Sequence, residues 1–338
     1  MSLVRRAFSH LLLSWSASRY GWMGASVVGL SVITACGGGG GSGSGPSPAP
    51  RAVPTVTTVT AMSAPMFGRV GEFLVEGANL DSADFDPVFS GACTVQAAGP
   101  STATRVLLRC LVDEIGPLTL TINDALTQSR LGSSPYVWLI ERPQVRMVVG
   151  NATASETVVV TLNAGARGIA DNDWALHFLH YVNGGFYAGT SIHLTSASVV
   201  EGGCYQYQST PLQPAGRANV TARALPTREP SSANNLAFTL SIGPRPCDAS
   251  SSRPLGTIWP TFALNVSNNA TRNTSGWRAI GTFSGDLPSV QAAQRLSSLN
   301  LPPAANNYCP FPPEACYWPD WSVSPPPATE FRVVEQIR

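Results

Sequence analysis

Between Thr55 and Ile122 the chain repeats one device: a short β-branched or alternating run followed by a turn, at intervals of roughly ten residues. Thr55-Val-Thr-Thr-Val-Thr60 is β-branched throughout. Gly71-Glu-Phe-Leu-Val-Glu-Gly77 alternates, with Phe73 and Val75 on one face, and Val106–Val112 and Leu118–Ile122 follow. Runs this short are too brief for helices of ordinary length. They bury their apolar faces by pairing sheet against sheet, which predicts a small β-sandwich over residues 54–136. The pattern resumes further on. Val145–Val149 and Thr157–Leu162 read as a hairpin with Gly150 and Asn151 in its turn, and Phe331–Ile337 reads as a late strand. The 31 glycines and 28 prolines supply many turns, so the expected class is mainly β. A length of 338 residues leaves room for about two domains, the second spanning 137–338.

The N-terminus reads as a targeting segment. Arg5, Arg6 and Arg19 accompany an apolar run over 21–35 that is short for a spanning helix. The run ends in Ile33-Thr-Ala-Cys36, which resembles a bacterial lipobox. That resemblance implies a signal peptide over 1–35 and a lipidated Cys36 that holds the protein to a membrane. A flexible Gly/Ser/Pro tether would complete 36–53. Gly37, in place of an aspartate, implies sorting to the outer membrane, with the protein facing the periplasm. Setting Cys36 aside leaves Cys93, Cys110, Cys204, Cys247, Cys309 and Cys316. An even number in an exported chain reads as disulfides. Sequence neighbourhood favours Cys93–Cys110, Cys204–Cys247 and Cys309–Cys316, with the connectivity left open. His177 and His180 share one helix but have no acidic or thiol partner at ligand spacing, so no metal is expected. A net charge of +1 argues against nucleic acid as the main partner.

Asp173–Asn183 is predicted as a helix, with Asp173 as N-cap and Trp174, Phe178 and Val182 on one face. Gly184 and Gly185 stop it. A second helix is predicted from Pro288 to Leu299, with Val290, Ala293, Leu296 and Leu299 as its buried stripe. The first helix runs into Tyr181-Val-Asn-Gly-Gly-Phe-Tyr-Ala-Gly-Thr-Ser-Ile-His193, and Val199-Val-Glu-Gly-Gly203 comes soon after. Together these stretches resemble the signature "YVNxGFYxGTxFHR…FxxQGG" of cyclophilin-type peptidyl-prolyl cis-trans isomerases. Phe262-Ala-Leu-Asn-Val266 and Ala279-Ile-Gly281 are similar to two further strands of that family. The resemblance implies an eight-stranded antiparallel barrel with two capping helices, no cofactor, and proline-containing peptide segments or envelope proteins as partners. In the N-terminal part, Phe67-Gly-Arg-Val-Gly-Glu-Phe-Leu-Val-Glu-Gly-Ala-Asn-Leu80 resembles the opening of IPT/TIG-type immunoglobulin-like modules.

Prolyl isomerisation breaks no bond; its barrier of about 18–20 kcal/mol is the loss of amide resonance. A catalyst must bind the twisted amide better than either planar form. The family does this with an arginine following the motif histidine, opposite a pocket for the proline ring. The resemblance places His193, Leu194, Val199, Glu201, Thr261, Phe262 and Ala263 in this groove. Leu194 stands where the arginine is expected and offers no donor. Glu201 replaces a glutamine, Thr261 another amide, and Ala263 a pocket phenylalanine. Arg223, Arg245 and Arg278 are candidates to replace the missing guanidinium, and Glu201 is expected to face solvent. The sequence thus reads as a degenerate isomerase that binds proline-containing peptides, with no confident catalytic residue. Two alternatives stand beside it: an active foldase with altered site residues, and a structural spacer of an envelope complex.

Overall fold

The computed structural model describes residues 51–338, apart from 97–98, 100, 151–153, 204, 207–219, 221–222, 231–233, 245–260 and 300–328. The expectations for Cys36, the signal segment, the tether and the pairs Cys204–Cys247 and Cys309–Cys316 lie outside the described residues.

Seven strands come first: β1 (Thr55–Ala61), β2 (Val70–Ala78), β3 (Phe85–Gly91), β4 (Thr94–Val95), β5 (Arg105–Leu111), β6 (Gly116–Asp124) and β7 (Tyr136–Ile140). They form two antiparallel sheets, in the orders β1-β2-β5-β4 and β3-β6-β7. The alternation in β2 works as written, since Phe73 and Val75 are wholly buried while Glu72 and Glu76 ion-pair outside with Arg109 and Arg105. Across the sheets, Phe73 meets Phe89 and Trp138 at ring separations of 5.3 and 4.6 Å. Cys93 and Cys110 form a disulfide between Cα atoms 5.6 Å apart, within the usual range. Strand β7 crosses the 136/137 boundary expected from sequence and completes the second of these sheets by pairing with β6.

Next come β8 (Gln144–Gly150), β9 (Ser155–Leu162), α1 (Ala170–Asn183), β10 (Thr190–Ser191), β11 (Leu194–Ser196), β12 (Val199–Gly202), β13 (Tyr205–Gln206), β14 (Thr239–Ile242), β15 (Phe262–Asn265), α2 (Ala270–Thr274), β16 (Arg278–Thr282), α3 (Leu287–Ser297) and β17 (Phe331–Gln336). Eight of these strands form an antiparallel sheet, ordered β11-β12-β15-β14-β16-β9-β8-β17, that curls into a half-barrel. Its two edges, β17 and β11, share no ladder. The chain just before β11 spans the gap instead: Gly189 N–H donates to the Phe331 carbonyl at 2.7 Å, and Ile192 N–H to that of Thr329 at 2.8 Å.

The concave face is filled by Val145, Met147, Val158, Val160, Leu240, Ile242, Phe262 and Leu264 with helix α1. Phe178 of α1 stacks against Tyr187 at 5.3 Å, Tyr187 against Phe262 at 5.2 Å, and Phe262 against Phe331 at 5.1 Å. A side chain at Gly202 would strike the Phe331 ring at 2.5 Å, so glycine is required there by space alone. Helix α3 buries Val290, Ala293 and Leu296 of the expected stripe, but it ends at Ser297, so Leu299 lies beyond it. Helix α1 begins three residues before the expected cap: Ile169 is its N-cap with no side-chain bond, and Asp173 lies in the first turn, where its charge suits the helix dipole.

The sandwich is bonded directly to the half-barrel. Asn172 Nδ2 donates to the Asp113 carbonyl at 3.0 Å, and Arg167 pairs with Asp113 at 2.9 Å. Gln336 Nε2 donates to the Phe67 carbonyl at 2.9 Å, and Gln336 Oε1 accepts from Arg69 Nε at 3.2 Å. Residues Arg51–Arg338 accordingly form one compact unit.

Candidate functional site

Strand alternation sends one set of side chains into the half-barrel and the other onto its outer face. The register aligns Leu194, Glu201, Ala263, Ser241 and Ala279 in one row across five strands. Their neighbours Val200, Phe262, Leu264, Leu240 and Ile242 are core residues, so this row faces outward. The chain between β15 and β16 folds back over it. Helix α2, only five residues long, turns sharply at its end, with the Ser275 and Trp277 N–H groups both donating to the Arg272 carbonyl at 3.2 Å. That turn delivers two side chains onto the row, Arg272 and Trp277.

Trp277 is 1% exposed and packs on Val199 and Ala263, with Leu194 at the margin of the cluster. A side chain at Gly243 would meet the indole at 2.5 Å, so the bare glycine leaves the ring its place. Arg272 lies over the same ring, Cζ 4.0 Å from a ring centroid, and its Nη2 donates to Glu201 Oε1. The other oxygen, Oε2, lies 3.7 Å from His193 Nε2, and the His193 N–H donates to the Glu201 carbonyl at 3.0 Å. Beside this cluster, Asn265 Nδ2 donates to Ser241 Oγ at 2.7 Å, and Asn235 Nδ2 to Asn273 Oδ1 at 2.7 Å. This polar ladder ties the covering loop to the sheet.

Of the groove residues expected from sequence, His193, Leu194, Val199, Glu201 and Ala263 come together on this face. Thr261 is buried at the entrance to β15. Phe262 belongs to the other face, where its ring sits in the half-barrel's aromatic core. Glu201 does not face solvent as expected; it is 1% exposed beneath the Arg272 guanidinium. Two of the arginines offered as candidate substitutes lie elsewhere. Arg278 pairs with Glu229, whose carboxyl it holds below the usual carboxylate range. Arg223 reaches the Leu176 carbonyl of α1. Arg245 lies outside the described residues. The arginine that does reach the row, Arg272, stands 71 positions from Glu201, and no motif or spacing pointed to it. A buried Glu201 would have called for a counter-charge, but Glu201 read as solvent-facing in the sequence.

Among the described residues, no three histidine, cysteine or acidic side chains are grouped so as to hold a metal ion. No described helix is long and apolar enough to cross a membrane.

No family model matches the chain, and no curated protein matches it. Among solved structures, the crystal structure of the Lin-41 filamin domain is similar to 27% of this chain and 98% of that one, at 14% identity. The TM-score is 0.22, too low to carry an argument.

Proposed function

We propose that the chain is an outer-membrane lipoprotein facing the periplasm, anchored through Cys36, with a cyclophilin-type domain that binds proline-containing segments of exported proteins and isomerises them poorly. The N-terminal sandwich is an immunoglobulin-like module beside it. The observation that carries this reading is the state of the guanidinium on the outer row. A twisted prolyl amide needs donors that strengthen as its planarity is lost. Leu194 has none. Arg272 has five, but its Nη2 donates to the Glu201 carboxylate and the Trp277 ring covers one side of the group. Trp277 also fills the space above Val199 and Ala263 where a proline ring would enter. Peptide contact is left to the half-buried His193 and Leu194.

The test pairs turnover with binding. The protein should leave the cis-to-trans rate of a proline tetrapeptide essentially unchanged while the peptide shifts the backbone NMR signals of His193 and Leu194. Turnover at the level of an ordinary cyclophilin would overturn the reading, and absence of any shift would leave a structural spacer. Cys36→Ala should release the protein from membranes; unchanged fractionation removes the lipoprotein part.

One observation favours an active isomerase. Arg272 brings a guanidinium to the very row where Leu194 lacks one, and an incoming carbonyl could compete with Glu201 for its donors. Under that reading turnover is measurable and Arg272→Lys abolishes it, since an ammonium lacks the planar fork.

A further inference from the structure

A second concavity lies away from the Glu201 row, at the seam between sandwich and half-barrel. Its volume is about 400 Å³, within the range of small-molecule sites. Leu111 of β5, Leu176 and Leu179 of α1, and Val220 give it an apolar body, while His180, Asn183 and Arg223 bring polar groups to it. Arg223 is set by its backbone: its N–H donates to the Tyr181 hydroxyl at 3.0 Å. Among the described residues its guanidinium makes one bond, from Nη1 to the Leu176 carbonyl at 3.3 Å, out of five N–H donors available. A second arginine adjoins the lining, since Arg69 Nη2 donates to Asn183 Oδ1 at 2.8 Å and its Nε to Gln336 Oε1 at 3.2 Å. Every one of these acceptors is neutral. Two permanent positive charges therefore sit beside an aliphatic hollow with their charge uncompensated by any carboxylate among the described residues.

We infer that this seam is a binding site for a small monocarboxylate with an apolar body, the carboxylate on Arg223 and the body against Leu176, Leu179 and Val220. The inference is independent of the isomerase reading, because it uses none of the residues of the outer row. A neutral ligand would gain the apolar contacts alone. A carboxylate adds a charge-assisted bond to Arg223, bidentate where the planar fork allows it.

The probe is phenylbutyrate, with its neutral amide phenylbutyramide as the comparison, titrated calorimetrically into the full chain in lipid nanodiscs against empty discs. The acid should bind saturably, and the amide about tenfold more weakly, as expected for one lost bond to a charged group. Arg223→Gln should bring the acid down to the level of the amide, and Leu176→Trp, which fills the hollow from the helix side, should abolish both. Equal binding of acid and amide overturns the proposal, as does the absence of saturable binding or an Arg223→Gln variant that binds the acid as well as the parent. The acid–amide comparison on the unaltered protein decides the matter even where a variant fails to fold.

Discussion

The guanidinium of Arg272 donates to the carboxylate of Glu201 across 71 positions of sequence, both side chains nearly out of solvent on the outer face of the curled sheet. Neither charge is affordable there alone. The pair holds the short helix α2 and Trp277 against the sheet and closes the face on which a peptide groove was expected.

Losing one partner should therefore cost far more than losing both. Arg272→Met leaves Glu201 charged under an apolar lid, and a destabilisation of about 3–5 kcal/mol is expected. The double variant Glu201→Leu/Arg272→Met should lie close to the parent, because two apolar side chains replace a desolvated pair. Urea denaturation of the four proteins measures the coupling. Additive effects would show that the two charges do not act as a pair.

Under the proposed isomerase reading, an arginine at position 194 alone should not produce catalysis. Leu194→Arg adds a guanidinium beside Trp277, but Glu201 is already engaged, and the missing amide and pocket phenylalanine remain Thr261 and Ala263. Groups that act as a unit are not recovered singly. The variant should stay about 10²–10³ below an ordinary enzyme in a tetrapeptide assay, the deficit typical of lost transition-state donors. Turnover at the level of an ordinary cyclophilin in this variant would refute the prediction.

Acid should find a weak point where the folded body begins. Asp124 titrates at about 2 against an ordinary 3.8, first because Arg51 hydrogen-bonds it and then because the Thr127 and Leu126 N–H groups do, with burial opposing. The folded state thus prefers the charged form. Its contribution is complete above about pH 4 and disappears as the pH falls through about 2. Asp124→Asn should lower stability at neutral pH, and the difference from the parent should vanish at the acid end. A difference as large at pH 2 as at neutral pH would rule out this ionisation as the cause.

The disulfide should be a stabilising staple. Cys93 and Cys110 close a loop of 17 positions, and a cross-link of that size is worth about 3 kcal/mol. Cys93→Ala/Cys110→Ala should shift the melting temperature down, and reductant should then have no further effect on this lobe. A variant that melts with the oxidised parent would mean that the link contributes nothing.

The strands legible in the sequence were those with clean alternation, such as β2, where Phe73 and Val75 share a face. Helix α3 was legible for the same reason, a stripe at helical spacing. Strand β3 was not, because Pro87 stands inside it, and a proline is tolerated only on an edge strand such as this one. The start of α1 was misplaced because Ile169 caps it without a side-chain bond, while the capping rule pointed to Asp173. At the candidate site, Leu194, Val199, Glu201 and Ala263 could be gathered from local motif alone. Phe262 was assigned to the wrong face of its strand, and Arg272 was invisible, since α2 is too short to show a period and its partner is distant in sequence.

Strand β17 pairs with β8 along its length, and the Arg146–Glu335 contact in that ladder joins residues 189 positions apart. Such a ladder forms only after the intervening chain is available, and contacts of high sequence separation slow folding. Until then β8 is a bare apolar edge carrying Val145, Met147 and Val149, of the kind that pairs with neighbouring chains. The same late strand carries Gln336, which bonds the sandwich at Phe67. One late event thus covers the apolar edge of the sheet and adds the Gln336 bond to those that Asn172 and Arg167 make with the sandwich, so exposure of that edge to misassembly lasts until the end of the chain is in place.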